Sequence, residues 1–302
     1  MNRDYPLQRS FGQGVNGTSP AASACDNINT AGCLRSWGPR LAAGTRTYDH
    51  ANEAYDTGIT NDNTLTMSGG NDRTTFLLSG SYTGTQGVFV GPNNQFRRST
   101  VRMNASHRLR DDLNVLGNFQ YADTRGDFVQ RGNNANGLQL GLLRTPPEFN
   151  NLPYLDPVTG LHRSYRLQNP QAGSETSPRG FDNPFFALYE PVNRSIVGRA
   201  FGNVGADYQA LEWLKFNYTL GADYSSDERL EGAPQASSDV SQGGRVTEGT
   251  INNFQLDHNL TGTANYRLNP NVTGTVTLGQ NLNMRNLRQI SVVGRQLVAP
   301  LP

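Results

Sequence analysis

Residues 253–268 read Asn-Phe-Gln-Leu-Asp-His-Asn-Leu-Thr-Gly-Thr-Ala-Asn-Tyr-Arg-Leu, and residues 271–283 read Asn-Val-Thr-Gly-Thr-Val-Thr-Leu-Gly-Gln-Asn-Leu-Asn. In the first stretch Phe254, Leu256, Leu260, Ala264, Tyr266 and Leu268 share one phase, and Asn253, Gln255, Asp257, Asn259, Thr261, Thr263, Asn265 and Arg267 the other. In the second, Val272, Gly274, Val276, Leu278 and Leu282 alternate with Thr273, Thr275, Thr277, Asn281 and Asn283. A period of two marks a strand with one apolar and one polar face. Leu268-Asn269-Pro270-Asn271 between them is a tight turn. The near repetition of Asn259-Leu260-Thr261-Gly262-Thr263 at Asn271-Val272-Thr273-Gly274-Thr275 is therefore read as two adjacent hairpin strands, not as a solenoid.

The same pattern extends back to residue 63, in 63–69, 74–84, 98–109, 113–125, 194–208 and 214–224, so about eight strands are expected. The 74–84 strand sets Phe76, Leu78 and Tyr82 against Thr75, Ser79, Ser81 and Thr83, with Leu77 as its exception. In 98–109, Val101, Met103, Ala105 and Leu109 oppose Arg98, Thr100, Arg102, Asn104, Ser106 and Arg108. Connections alternate too. Tight turns fall at Gly70–Arg73, Arg110–Asp112, Ala210–Glu212 and Leu268–Asn271, whereas 85–96, 126–193 and 227–250 are long. The fold class expected is all-β: an antiparallel up-and-down transmembrane β-barrel segment of about eight strands, with short periplasmic turns and long extracellular loops. Its parts are an extracellular loop or irregular segment over 1–62, barrel strands over 63–285 with the long loop 126–193, and a truncated loop or strand start over 286–302. A soluble β-sandwich also alternates, but its strands usually run to about 5 or 6 residues. A membrane strand needs ~9–11, and the Arg, Asn, Asp and Gln of the polar face suit a water-filled lumen.

Composition agrees. Only 35% of the 302 residues are hydrophobic and the mean hydropathy is −0.59. No apolar run approaches the ~18 residues of a spanning helix, which excludes a helical membrane protein. Disorder couples few aromatics to high net charge, and this chain has 12 Tyr, 13 Phe and a net charge of +1. Lys215 is the single lysine among 26 basic residues, the arginines are spread without a cluster, and nucleic-acid binding is not expected. Cys25 and Cys33 enclose a short polar stretch that fits a loop disulfide or two free thiols.

Several motifs mislead. Gly12-Gln13-Gly14-Val15-Asn16-Gly17 matches a dinucleotide fingerprint, but no strand precedes it and Pro20 follows with no helix. The Asn-x-Ser/Thr triplets at Asn16, Asn104, Asn193, Asn217, Asn259 and Asn271 mostly reflect Asn and Thr sharing a strand face. His50, His107, His162 and His258 lack ligand spacing, so no metal and no cofactor are expected. Asp111-Asp112 and Asp227-Glu228 lie in a turn and at a strand end, where solvated surface explains them better than glycoside hydrolysis. The chain reads as no enzyme.

A family resemblance is carried by Ser36-Trp37-Gly38-Pro39-Arg40, Tyr48-Asp49-His50, Asp56-Thr57-Gly58 and Leu65-Thr66-Met67-Ser68-Gly69-Gly70-Asn71. Tyr82 with Gln86-Gly87, Leu143-Arg144-Thr145-Pro146-Pro147 and Leu278-Gly279-Gln280-Asn281-Leu282-Asn283 continue it in the same order. Together these segments resemble the SusC-like (RagA-type) TonB-dependent outer-membrane transporters. The resemblance implies a segment of a ~22-stranded plugged barrel in the Gram-negative outer membrane. It further implies energy coupling to the TonB complex through a plug, and a SusD-like surface lipoprotein partner that helps capture glycans or peptides. The chain itself departs from that plan in showing no signal peptide, plug or TonB box, and it is expected to be an internal barrel fragment.

On this reading Arg98, Arg102, Asn104, Arg108, Asp257, Asn259, Asn265 and Arg267 line the lumen, while Val101, Met103, Phe216, Tyr218, Phe254 and Leu256 face the lipid bilayer. Tyr121, Trp213, Tyr224 and Tyr266 at strand ends fit an interfacial girdle. Phe149, Tyr154, Tyr165, Phe185, Phe186 and Tyr189 are the candidate ligand contacts of the long loop, since sugars stack on aromatic faces; packing within the loop is the competing use. The alternative function is an autonomous small outer-membrane barrel, a passive porin or an adhesin. It requires 63–69 to pair with 271–285 and the interior to be packed with side chains.

Overall fold

The computed structural model describes residues 8–12, 14, 37–130, 136–158, 160–165, 181–238 and 243–298. Cys25 and Cys33, and with them the disulfide expectation, lie outside the described residues. Eight strands form one sheet: β1 (Ile59–Gly70), β2 (Thr74–Gln86), β3 (Gln95–Arg110), β4 (Leu113–Asp127), β5 (Val192–Leu211), β6 (Leu214–Ala233), β7 (Arg245–Asn269) and β8 (Val272–Arg295). Each pairs antiparallel with its sequence neighbours, in the spatial order β1-β2-β3-β4-β5-β6-β7-β8. All eight strands expected from alternation are present, and the up-and-down topology is the one expected. Within the described residues β1 pairs only with β2 and β8 only with β7, so the sheet is open.

The tight turns are chemically determined. In the first, the Asn71 side chain accepts from the backbone N–H groups of Arg73 (2.9 Å) and Thr74 (2.8 Å). A Cβ on the adjoining Gly70 would lie 2.2 Å from the Thr74 carbonyl oxygen, so only glycine admits this closure. At the other three hairpins of this end the ladder shifts register between Arg108 and Arg110, Gln209 and Leu211, and Arg267 and Asn269. One extra residue per strand is accommodated as a bulge, which sharpens twist where the chain reverses.

At the long-loop end the strands outrun the alternation. β6 continues to Ala233, β7 starts at Arg245 and β8 reaches Arg295, so part of the 227–250 connection is paired strand. In these extensions Ser225, Asp227, Arg229 and Glu231 share one face while Ser226 and Glu228 begin the other, and no apolar phase marks the strand. The long 126–193 connection contains two short helices, α1 (Leu138–Arg144) and α2 (Pro184–Tyr189). For α2, Asn183 caps the N–H groups of Phe185 and Phe186, and Pro184 stands in the first turn, where its missing N–H costs nothing.

Among the described residues no second layer covers the sheet. Leu65 is 72% exposed and Leu278 75% exposed, although each belongs to its strand's apolar phase. The buried hydrophobic cluster lies instead among the loops: Ala54, Val129, Leu138, Leu142, Phe185 and Leu188, with Tyr55, Phe89, Val90 and Tyr154 packed against it. Among the described residues no helix is long and apolar enough to cross a membrane.

Candidate functional site: a polar sheet face with a loop cap

Register places the polar phases of all strands on one face. Arg102 stands opposite Gln120, Asn104 opposite Asn118, Asn118 opposite Asn203, Asn203 opposite Gly221 and Gly221 opposite Asp257. Here the sheet forms a cavity of about 580 Å³ lined by Arg102, Asn104, Asn118, Gln120, Phe201, Asn203, Asp223, Gln255 and Asp257, with backbone from the intervening small residues.

The wall is a hydrogen-bonded mesh. Asn118 donates to Asn203 (2.7 Å), and the Arg102 Nε points to Asn104 Oδ1 at 3.4 Å. The Asp257 carboxylate accepts from Asn281 (3.1 Å) and Asn283 (2.8 Å) of β8. Arg199 donates to both oxygens of Asp223, with Nε at 2.9 Å, and lies over the Phe201 ring at 4.9 Å. The Arg199–Asp223 ion pair thus ties β5 to β6. The amides of Gln120 and Gln255 carry no hydrogen bond to any described residue, which leaves them to water or solute. Such a surface sets amide donors and acceptors beside the charged Arg102, Asp223 and Asp257.

Of the eight expected lumen residues, Arg102, Asn104 and Asp257 line the cavity. Arg98, Arg108, Asn259, Asn265 and Arg267 share its phase but lie outside it: Arg98 stands opposite Thr124, Asn259 opposite Thr219, and Arg267 donates to the Pro270 carbonyl (2.8 Å) at the tight-turn end. Asn265 accepts from Thr275 (2.7 Å). Asn118, Gln120, Asn203, Asp223 and Gln255 were not singled out, although each has the same phase. Phe201 has no such signal, being an aromatic in a polar phase. Leu77, the exception in β2, sits on the polar face opposite Asn104.

The other face carries the expected apolar set. Val101 and Met103 are about half exposed, and Phe216, Tyr218, Phe254 and Leu256 continue the surface. His258 also falls on this face, opposite Leu220 and Leu282, and its Nδ1 lies 3.2 Å from the Tyr218 hydroxyl. Tyr121 and Tyr224 bound the apolar residues on the long-loop side, while Tyr266 and Trp213 lie near the tight turns. From Leu113 to Tyr121 the apolar phase covers about 26 Å of strand at ~3.3 Å per residue, the scale of the ~25 Å apolar band of a membrane barrel.

The loop aromatics divide. Phe185 and Phe186 are buried in packing, and Phe186 lies against His162 at 4.6 Å. Tyr154 and Tyr189 stack at 5.5 Å, and the Tyr154 hydroxyl donates to Glu190 (2.8 Å). Burial, aided by that carboxylate, pushes the Tyr154 phenol up from 10.0 to about 12. Phe149 and Tyr165 meet edge to face at 6.4 Å. Two buried polar knots tie the loops together. His50 faces the Pro146 carbonyl (2.9 Å) and Glu53 (2.7 Å). Asp182 accepts from Ser237 Oγ (2.8 Å) and the Ser238 N–H (2.6 Å) and contacts His162 Nε2 at 3.2 Å. The side-chain hydrogen bond from Asn52, with Arg9 beside it, holds the Asp49 carboxyl below its usual value against the effect of burial.

No family model matches the chain. The chain is 26% identical over 200 residues to the TonB-dependent receptor SusC of Bacteroides thetaiotaomicron, covering 63% of this chain and 19% of that protein. It is 24% identical over 226 residues to the TonB-dependent receptor P3 of Formosa agariphila, covering 73% of this chain and 20% of that protein. The chain therefore spans about a fifth of the length of these relatives. In fold it matches a chain of the RagAB peptide importer in the closed-closed state, with a TM-score of 0.61 and 19% identity over 83% of this chain and 27% of that one. The match to the open-open state has a TM-score of 0.62 and 18% identity, over 94% of this chain and 32% of that one. In sequence the chain is thus similar to two TonB-dependent receptors, SusC among them, and in fold to a barrel segment of a chain of the RagAB importer.

Proposed function

We propose that these strands form part of the wall of a TonB-dependent transporter in the outer membrane of a Gram-negative cell. The transporter imports oligomeric nutrients, either glycans or peptides. The polar face lines the water-filled path, the apolar face meets lipid, and the loop cap lies outside the cell. A SusD-like surface lipoprotein delivers cargo at that mouth, and the TonB complex supplies energy through a plug. The reading is transport without covalent chemistry.

The observation that carries this reading is the pairing of faces: a polar trough with unpartnered Gln120 and Gln255 amides on one side, and a bare apolar surface on the other. The similarity to SusC, a TonB-dependent receptor, and to the RagAB peptide importer supports it. The small-barrel alternative needs β1 against β8, and the open strand order offers it no support. Tyr154, Tyr189, Phe149 and Tyr165 are the aromatics we assign to cargo contact at the cap.

The test is uptake of labelled oligomers by cells carrying the complete transporter. Gln120→Trp and Gln255→Trp, which fill the trough, are expected to slow uptake at unchanged surface abundance, whereas Val101→Leu on the opposite face leaves it unaltered. Equal uptake by all three variants would reject the polar face as the path.

A further inference from the structure

The outward face changes character directly beyond its tyrosines. In β4 the phase that carries Phe119 and Tyr121 continues as Asp123, Arg125 and Asp127. In β3 the phase of Met103 and Val101 continues as Ser99 and Arg97, and β5 contributes Arg194. Register sets Arg97 directly opposite Arg125, and Arg194 opposite Asp127. Like charges directly opposite on one face destabilise a strand pair, and nothing in the topology forces two arginines into that position.

The hydrogen bonds of Arg125 and Arg194 leave their recognition edges unused. Arg125 reaches Asp123 through Nε (3.0 Å), and Arg194 reaches Asp127 through Nε (2.9 Å). Arg97 spends one terminal nitrogen on Gln95 (3.2 Å). Among the described residues the terminal nitrogens of Arg125 and Arg194 have no hydrogen-bond partner, and both side chains are exposed. The carboxylates orient the guanidinium groups from behind and leave the forks free. A guanidinium fork matches phosphate oxygens bidentately, and the level just beyond an aromatic belt is that of lipid headgroups.

We infer that Arg97 and Arg125, flanked by Arg194, form a binding site for the phosphate of an outer-leaflet lipid headgroup. The anion relieves the repulsion between the opposed arginines and anchors the rim of this sheet at a fixed depth. Asp123, Asp127, Glu228 and Glu248 are the acidic groups on the same outward rim. Two of them hold an arginine through Nε, so they set its direction without occupying the fork. The inference rests on the proposal that the apolar face meets lipid.

The test uses the full chain folded into detergent and titrated with monophosphorylated lipid A, with bound lipid counted by native mass spectrometry. In parallel, the chain is placed in vesicles with brominated acyl chains to read quenching of Trp213. Each arginine near a charged headgroup layer changes affinity by about five-fold, so Arg97→Gln is expected to weaken lipid A binding about five-fold and the Arg97→Gln/Arg125→Gln pair about 25-fold. Arg73→Gln and Arg110→Gln, at the tight-turn end, are expected to leave it unchanged, and inorganic phosphate at the same concentration is expected not to displace the lipid. Quenching of Trp213 with equal binding by all variants would overturn this site alone. Displacement by free phosphate would likewise overturn the lipid assignment, and absence of quenching would overturn it together with the membrane reading.

Discussion

At the scale of single residues, Tyr154 and Asp182 show how the loop cap is held. The Tyr154 phenol is raised from 10.0 to about 12 by burial and by the Glu190 acceptor. A raised folded-state value means that the contribution is present in full below pH 10 and is lost as pH climbs toward 12. Spectrophotometric titration of tyrosinate is therefore expected to show a component near pH 12 that Tyr154→Phe removes, and the variant's cap loses less stability than the parent's over that alkaline window. A Tyr154→Phe variant that loses its component near pH 10 instead would show that the phenol is not raised in the folded cap. Asp182 is a second case, since its two oxygens serve Ser237, Ser238 and His162 in a dry site. Asp182→Ala strands these buried groups at a cost of about 3 kcal/mol. Hydrogen exchange should report the loss at 160–165 and 234–238, which this carboxylate joins, while β3 and β4 keep their protection.

At the scale of elements, side-chain phase assigns environment. Met103 and Asn104 are neighbours in β3, yet one belongs to the apolar face and the other to the cavity wall. Arginine introduced on a lipid-facing midplane position costs about 2–4 kcal/mol, and much less toward a wet lumen. Met103→Arg is therefore expected to lower folding stability in lipid vesicles by that amount, whereas Asn104→Arg changes it by under about 1 kcal/mol. Equilibrium unfolding in urea measures both; equal costs would mean that neither face meets lipid, and reversed costs that the two faces are exchanged. The strand ends were the least legible part. Beyond Tyr224 in β6 and Met284 in β8 polar and apolar residues mix on both faces, so alternation stops although pairing continues to Ala233 and Arg295. Hydrogen-bonded ladders need no apolar phase, and periodicity is blind to them there.

At the scale of the molecule, two units with different sources of stability stand side by side. The sheet is held by its ladders and has no internal hydrophobic layer, while the cap has a small core of its own around Leu142 and Leu188. Leu142→Ala removes a side chain that is 1% exposed, and buried Leu→Ala changes cost about 2–5 kcal/mol. The expected outcome is loss of protection across 138–144 and 184–189 with the strands unaffected; collapse of the whole sheet would show that cap and sheet unfold as one. This separation fits the proposed role, because a loop core that opens independently moves at the mouth without breaking the wall.

The sequence by itself determined the eight strands, their antiparallel order, the location of the tight turns and the two faces, because each follows from local spacing or from a period of two. It also set Arg102 and Asn104 in one phase within β3, and Asp257 in the polar phase of β7. Only the tertiary structure decided which residues of that phase meet at the cavity, since Asn118, Asn203 and Gly221 come together through cross-strand register and not through proximity in the chain. It likewise separated Phe185 and Phe186, which are buried, from the stacked Tyr154 and Tyr189. The pairing of Asp182 with Ser237 joins loops 55 residues apart, and His162 meets them from a third segment. Burial and long-range polar contacts of this kind carry no periodic signature, and only the folded chain brings them into view.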